Sequence, residues 1–175
     1  MALADTPGHV DFSYEVSRSL AACRGALLLV DAAQGVQAQT VATFFLAFEQ
    51  NIAIVPVLNK MDMPTAEPER VVRELEEAFA ISPADCIFAS AKQGTGTADI
   101  LRALVERVPP PGGAPDAPLR MLLFDAHHNP FRGVISLFQV VDGSVRVGDR
   151  IESSATGEVY DVMETGLLTP GMTPW

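Results

Sequence analysis

Cysteine is scarce: Cys23 and Cys86 are the only two in 175 residues. Two thiols do not make a disulfide scaffold, and neither stands at a metal-ligand spacing. Both lie in apolar company, so two small buried hydrophobes of a reducing compartment are expected. Positive charge is also short. Lysine and arginine number 12 against 22 acidic residues, for a net charge of −10 and a pI near 4.6. That balance speaks against gripping nucleic acid by bulk charge. The chain has no basic tail, no acidic block, and no apolar run that approaches the length of a membrane span. Met1–Ala4 reads as neither a signal nor a transit peptide and runs straight into a dense motif. The expectation is a chain cut from a longer protein. What is present is a composition 48% hydrophobic and 19% charged. It suits one folded domain, or one and part of another.

Three apolar runs each stop at a polar residue: Ala26–Val30 at Asp31, Ile52–Leu58 at Asn59, and Ile87–Ala89 at Ser90. Unbroken apolar runs predict parallel strands buried on both faces. Each polar residue then lies at a carboxyl strand end, the edge of an open α/β sheet where ligands bind. Between the runs lie helical patterns. Val71, Val72, Leu75, Ala78 and Phe79 share one face of a helix over 68–79, with Pro68 in its first turn. Glu74, Glu76 and Glu77 read as its solvated face. Residues 98–108 repeat the pattern through Ile100, Leu101, Leu104, Val105 and Val108. Further helices are expected over 36–50 and 13–23. Strands alternating with such helices specify a doubly wound α/β sheet.

The texture changes at residues 109–118, which hold five prolines and two glycines. This is a linker. Beyond it, 121–124, 134–141, 150–153 and 158–162 read as short strands punctuated by Asp142-Gly143, Gly148-Asp149 and Thr156-Gly157. The expected organisation is a nucleotide-binding-type domain over 1–108, the linker 109–118, and part of a small all-β barrel over 119–175, with too few strands to close.

Three motifs follow the strands. In Asp5-Thr6-Pro7-Gly8-His9, Gly8 allows a backbone N–H to approach a terminal phosphate closely. Asp5 suits Mg²⁺ held through water, and His9 suits orienting an attacking water. In Asn59-Lys60-Met61-Asp62, the two oxygens of Asp62 match the adjacent N1–H and N2 donors of guanine, a pair adenine does not present. Asn59 can bridge base and loops, and the Lys60 stem can lie along the base. Ser90-Ala91-Lys92 ends the third strand, where backbone N–H groups can reach the guanine O6. All three motifs converge on one sheet edge.

These motifs resemble the third, fourth and fifth nucleotide-binding motifs of the GTPase superfamily, and DTPGH resembles its translation-factor branch. The segment DTPGHVDFSYEVSRSL at 5–20 is similar to the elongation factor 4 (LepA) family. So are PERV at 68–71, ERVPPP at 106–111 and FRGV at 131–134. Residues 43–49 look closer to mitochondrial members. The resemblance covers essentially the whole chain. It implies a ribosome-associated GTPase whose GTP contacts are Asp5, Thr6, Pro7, Gly8, His9, Asn59, Lys60, Met61, Asp62, Ser90, Ala91 and Lys92. In that scheme His9 is catalytic, Gly8 senses the γ-phosphate and Asp5 ties Mg²⁺ through water. GTP or GDP and Mg²⁺ are the implied cofactors, and the ribosome, through its RNA, is the implied partner. DNA is not, and a monomer is expected. Peripheral membrane association stays open. The implied compartment is the mitochondrial matrix or the matrix side of its inner membrane; bacterial cytoplasm and plastid are the alternatives.

The family begins with a phosphate loop of the form GxxxxGK[ST] and a switch threonine, and residues 1–4 leave no room for them. A P-loop GTPase-type sheet lacking its first strands is therefore expected, and negligible hydrolysis by residues 1–175 alone. The alternative reading is a non-catalytic interaction module derived from a damaged GTPase domain. A third is another translational GTPase, such as elongation factor G or a release factor. His127 and His128 are expected in a surface loop, since neighbours in an extended segment point apart and share no metal easily. Arg132-Gly133 reads equally as an RNA contact or a plain turn, and Asp31 as a helix cap.

Overall fold

The computed structural model describes residues 3–6, 13–168 and 172–174. Its first elements are α1 (Ser13–Ala21), β1 (Gly25–Asp31), α2 (Ala38–Glu49), β2 (Ala53–Asn59), α3 (Pro68–Phe79), β3 (Ile87–Phe88) and α4 (Thr97–Arg107). Then come β4 (Arg120–Asn129), β5 (Gly133–Asp142), β6 (Arg150–Glu152), β7 (Val159–Asp161), β8 (Gly166–Leu168) and β9 (Met172–Pro174). The chain divides into two compact units: Met1–Pro111 with Phe124–Leu137, and Gly112–Leu123 with Phe138–Trp175.

In the first unit β1, β2 and β3 form a parallel sheet in that order. Register runs from Gly25 opposite Ala53 to Asp31 opposite Asn59. Helices flank the sheet on both faces and cover β2, while Leu29 of β1 and Phe88 of β3 stay exposed. Leu28, Val30 and Leu58 pack with Phe44, Val71, Leu75 and Cys86 on the α2 and α3 side. Val55, Val57, Ile87 and Ala89 pack with Ala103 of α4 on the other. Alternate residues of one strand thus serve two different cores. Val16 and Leu20 of α1 join Ala47 of α2 in a third cluster. Pro56 sits inside β2, and the short β3 ladder begins only at the next residue.

Helix α3 occupies the residues its periodicity predicts, with Val71 and Leu75 fully buried. It stops at Ala80, whose φ of 54° is left-handed. Helix α4 is rotated from the sequence expectation. Ala103 faces the sheet with Ile100 and Val108 beside it, while Leu101 and Val105 are exposed. Just past α4, Val108 packs so close to Gly25 that any side chain there would collide with it.

Glu74 also departs from expectation. Glu76 and Glu77 are solvated, but Glu74 accepts the Val36 N–H at 2.9 Å and pairs with Arg70 at 2.5 Å. Arg70 pairs with Glu67 as well and donates to the Ala33 carbonyl at 3.1 Å. Together they pin the loop after β1 onto α3.

In the second unit, Asp142 accepts the Ala114 N–H at 2.9 Å and Arg120 Nε at 2.7 Å. β6 pairs antiparallel with β7, with Ile151 opposite Tyr160, and β8 pairs antiparallel with β9. Of these strands, β8 and β9 were not expected from the sequence. β4 and β5, whose facing ends at 124–137 belong to the first unit, pair with each other and run longer than expected. His127 and His128 therefore stand in strand β4 rather than a loop, both exposed. Residues 109–119 carry neither helix nor strand.

The Val36 N–H, and after it Arg70, hold the Glu74 carboxyl below its usual range. Its stabilising effect is therefore complete above the ordinary carboxylate value of about 4.3 and is lost as pH falls through the lowered folded value. At pH 7, Glu74→Gln is expected to destabilise the fold by about 1 kcal/mol, solvent screening keeping the cost small. Denaturant melts at pH 7 and in acid check this, with the difference between variant and wild type closing on acidification.

Candidate functional site

The carboxyl ends of β1, β2 and β3 gather three short polar segments. Asp31 and Asn59 are register partners, so the ends of β1 and β2 lie side by side. Asn59 joins both neighbouring loops. Its carbonyl accepts the Ala32 N–H at 2.9 Å, and its Oδ1 accepts the Ala91 N–H at 3.0 Å. The next residue, Lys60, has φ of 67°, a left-handed turn that costs a non-glycine side chain energy and bends the chain sharply off the strand. The Met61 N–H then donates to the Ala89 carbonyl at 3.1 Å, and its side chain packs on the core beneath.

Ser90 is the one buried polar residue among those described, 1% exposed. Its Oγ donates to Asp62 Oδ1 at 2.6 Å and accepts the Gln93 N–H at 3.2 Å. Its carbonyl accepts the Gly94 N–H at 2.8 Å, closing a turn in which Gly94 has φ of 75°. Ser90 N–H donates to the Thr95 carbonyl at 3.0 Å. Gly96, at φ 79°, lies so near β3 that a side chain there would run into the Phe88 carbonyl oxygen. These bonds present the backbone of Ala91 and Lys92, both exposed, beside Asp62. The Ser90 hydroxyl first, and the Lys92 charge more weakly, hold the Asp62 carboxyl below its usual range. Asp62 is therefore an anion at neutral pH. A carboxylate offers about four lone-pair sites, so one bond to Ser90 leaves capacity to accept a pair of donors from a ligand.

The structure thus brings Asn59, Lys60, Met61, Asp62, Ser90, Ala91 and Lys92 together. Asp5 and Thr6 are described, Asp5 exposed and Thr6 partly so, in a segment without regular structure. Pro7, Gly8 and His9 lie outside the described residues. Asp31 differs from its expected role. It caps a turn and not a helix, its Oδ1 accepting the Ala33 N–H at 2.8 Å and the Gln34 N–H at 3.3 Å, while Gln37 starts α2. Its Oδ2 pairs with Lys60 Nζ at 2.7 Å. Sequence reasoning missed that pairing. The signal available was the apolar run before each residue, which brings Asp31 level with Asn59 once the two strands are parallel neighbours. Among the described residues no group of three or more metal-ligating side chains occurs.

Residues 1–110 match the elongation factor Tu GTP binding domain, and the chain belongs to that family of GTP-binding domains. Within it, the chain is 57% identical over 172 residues to the mitochondrial translation factor GUF1 homolog of Ricinus communis, covering 98% of this chain and 26% of that protein. The Arabidopsis thaliana homolog of the same name is 57% identical over 171 residues, again 98% of this chain and 26% of its own. Elongation factor 4 of Hydrogenobaculum sp. (strain Y04AAS1) is 53% identical over 171 residues, 98% of this chain and 28% of its own. The resemblance to the elongation factor 4 family carried by the motifs is borne out. The chain spans about a quarter of the length of the curated relatives it matches.

Ser90→Ala removes the short hydroxyl bond to Asp62, and the carboxyl of Asp62 is expected to rise toward its ordinary range. Carbon-detected NMR titration of Asp62 in both proteins measures this. An unmoved titration would show that Asp62 is held anionic by other groups.

Proposed function

We propose that the strand-end cluster is a guanine-binding site, and that the whole protein is a translational GTPase of the elongation factor 4 type. The observation that carries this reading is the 2.6 Å bond from buried Ser90 to Asp62, with Asn59 locked to Ala91 beside it. The bonds hold a carboxylate at one edge with the exposed backbone of Ala91 and Lys92 beside it, the Ala91 N–H being taken up by Asn59. A carboxylate accepts the paired N1–H and N2 donors of guanine, and adenine lacks them. Asn59, Lys60, Asp62, Ser90, Ala91 and Lys92 form the base-reading half, with Met61 anchoring its loop. Asp5, Thr6, Pro7, Gly8 and His9 form the phosphate-facing half.

Asp5 is an exposed carboxylate, an oxygen ligand of the kind Mg²⁺ takes through water. When bound there, Mg²⁺ would offset phosphate charge. In this reading Gly8 lets the backbone approach the γ-phosphate, and His9 orients the water that attacks it in line. No GxxxxGK[ST] occurs in the 175 residues, and the sheet is read as the later strands of a P-loop GTPase. The domain boundaries are taken as 1–108 and 119–175 around the linker 109–118, the latter region as part of a β-barrel. The relatives are translation factors, which supports a ribosomal partner, and the plant ones are mitochondrial, which supports a mitochondrial location. A monomer is retained from the family resemblance.

Two substitutions in the full-length protein test this. Asp62→Asn sets a donor against a guanine donor and is expected to weaken GTP binding by roughly 10- to 100-fold, with XTP gaining relative to GTP. Titration of GTP, ATP and XTP checks it; an unchanged GTP preference would mean that the base is read elsewhere. His9→Ala is expected to slow hydrolysis by roughly a hundred- to ten-thousandfold while GTP affinity holds, because its benefit belongs to the transition state. Single-turnover hydrolysis with ribosomes, beside a melting curve, decides it. Full-rate hydrolysis with a depressed Tm would reduce His9 to a structural residue.

A further inference from the structure

We infer that Asp31 is a positioning residue for Lys60, fixing the lysine across the ends of β1 and β2 so that its stem forms one wall of the base site. The inference rests on the guanine-site reading above and adds a residue outside the three motifs that define it.

The geometry carries the argument. Lys60 follows β2, yet its ammonium lies 2.7 Å from Asp31 Oδ2, at the end of β1. The side chain therefore bridges two strand ends whose last residues are register partners. Two features make that possible. The left-handed backbone at Lys60 bends the chain off the strand. The Asp31 carboxylate is also held from behind, because its other oxygen accepts the Ala33 and Gln34 N–H groups. A carboxylate tied at one oxygen keeps the second at a fixed place and angle. The loop that supplies those N–H groups is itself fastened, through Ala33 to Arg70 and through Val36 to Glu74. Asp31 is thus a rigid anchor, and Lys60 is the flexible partner.

Burial of the two side chains fits those roles. The Asp31 side chain is 17% exposed and that of Lys60 is 52% exposed. The anchor is sheltered, while half the lysine surface remains open to a ligand. An ammonium has three donors and one meets Asp31, so the pair does not exhaust the cation. A free lysine samples many rotamers, and ordering it on binding costs affinity. An anchored lysine has met that cost on folding. With its ammonium half open to solvent, the pair adds little to stability, and its main effect is to fix the lysine.

The substitution Asp31→Asn separates the two jobs. Its remaining oxygen still accepts Ala33 and Gln34, but the charge that holds Lys60 is gone. In full-length protein, D31N is expected to weaken GDP binding about tenfold with its melting temperature near that of wild type. In a Lys60→Met background, which keeps an apolar stem but has no ammonium, D31N is expected to have no further effect. This non-additivity marks residues acting as one unit. Titration of GDP and ADP against the four proteins reads the result. D31N that binds GDP like wild type overturns the positioning role alone, as does a D31N loss of equal size in the K60M background. A wild type that does not prefer GDP over ADP overturns the guanine-site reading and, with it, this inference.

Discussion

Asn59 ends the most deeply buried strand of the sheet, and it is bonded to both loops beside it. Its backbone carbonyl takes the Ala32 N–H and its side-chain oxygen takes the Ala91 N–H. Those two bonds hold three strand-end segments at one level. They matter because β2 is packed on both faces, with Val55 and Val57 toward one core and Leu58 toward the other. A strand held by two cores does not slide, so its terminal residue is a fixed point from which the loops are hung. An asparagine suits this place because its side chain carries an acceptor short enough to reach a neighbouring backbone.

What a single sequence shows follows from how local each determinant is. Helix α3 could be read to the residue because Pro68, a strict apolar periodicity and five apolar positions all agree. The three strand ends could be read because parallel strands flanked by helices leave an apolar run with a polar stop. The rotation of α4 could not. Periodicity alone favours the bulkier Leu101 and Val105, whereas in the fold Ala103 meets the sheet. Glu74 was misread for the same reason. Of Glu74, Glu76 and Glu77, Glu74 is set apart by its pairing with Arg70 and by the contact with Val36, far away in the chain. The first part of β4 was read at 121–124, but its extension through His127 and His128 was not, because that half is polar and both histidines stay exposed.

The motif residues and their supports differ in this respect. Asp62, Ser90 and Asn59 are named by short local patterns, whereas Asp31, Arg70 and Glu74 act only through the fold. The second set brings the first to bear. Arg70 and Glu74 hold the loop after β1, that loop holds Asp31, and Asp31 holds Lys60. This chain of contacts links helix α3 to the carboxyl edge of the sheet.

The two carboxylates of this edge are held in unlike ways. Asp62 is bonded to a hydroxyl that is almost wholly sealed from solvent, while Asp31 is bonded to an ammonium half open to it. Dissolved ions compete with the second arrangement far more than with the first, because screening acts on exposed charges and hardly on a buried hydroxyl. Ionic strength thus loosens the Lys60 side of the edge and leaves the Asp62 side in place. One edge of the sheet thus carries a salt-insensitive carboxylate and a salt-sensitive one, and ionic strength sets how unequal the two are.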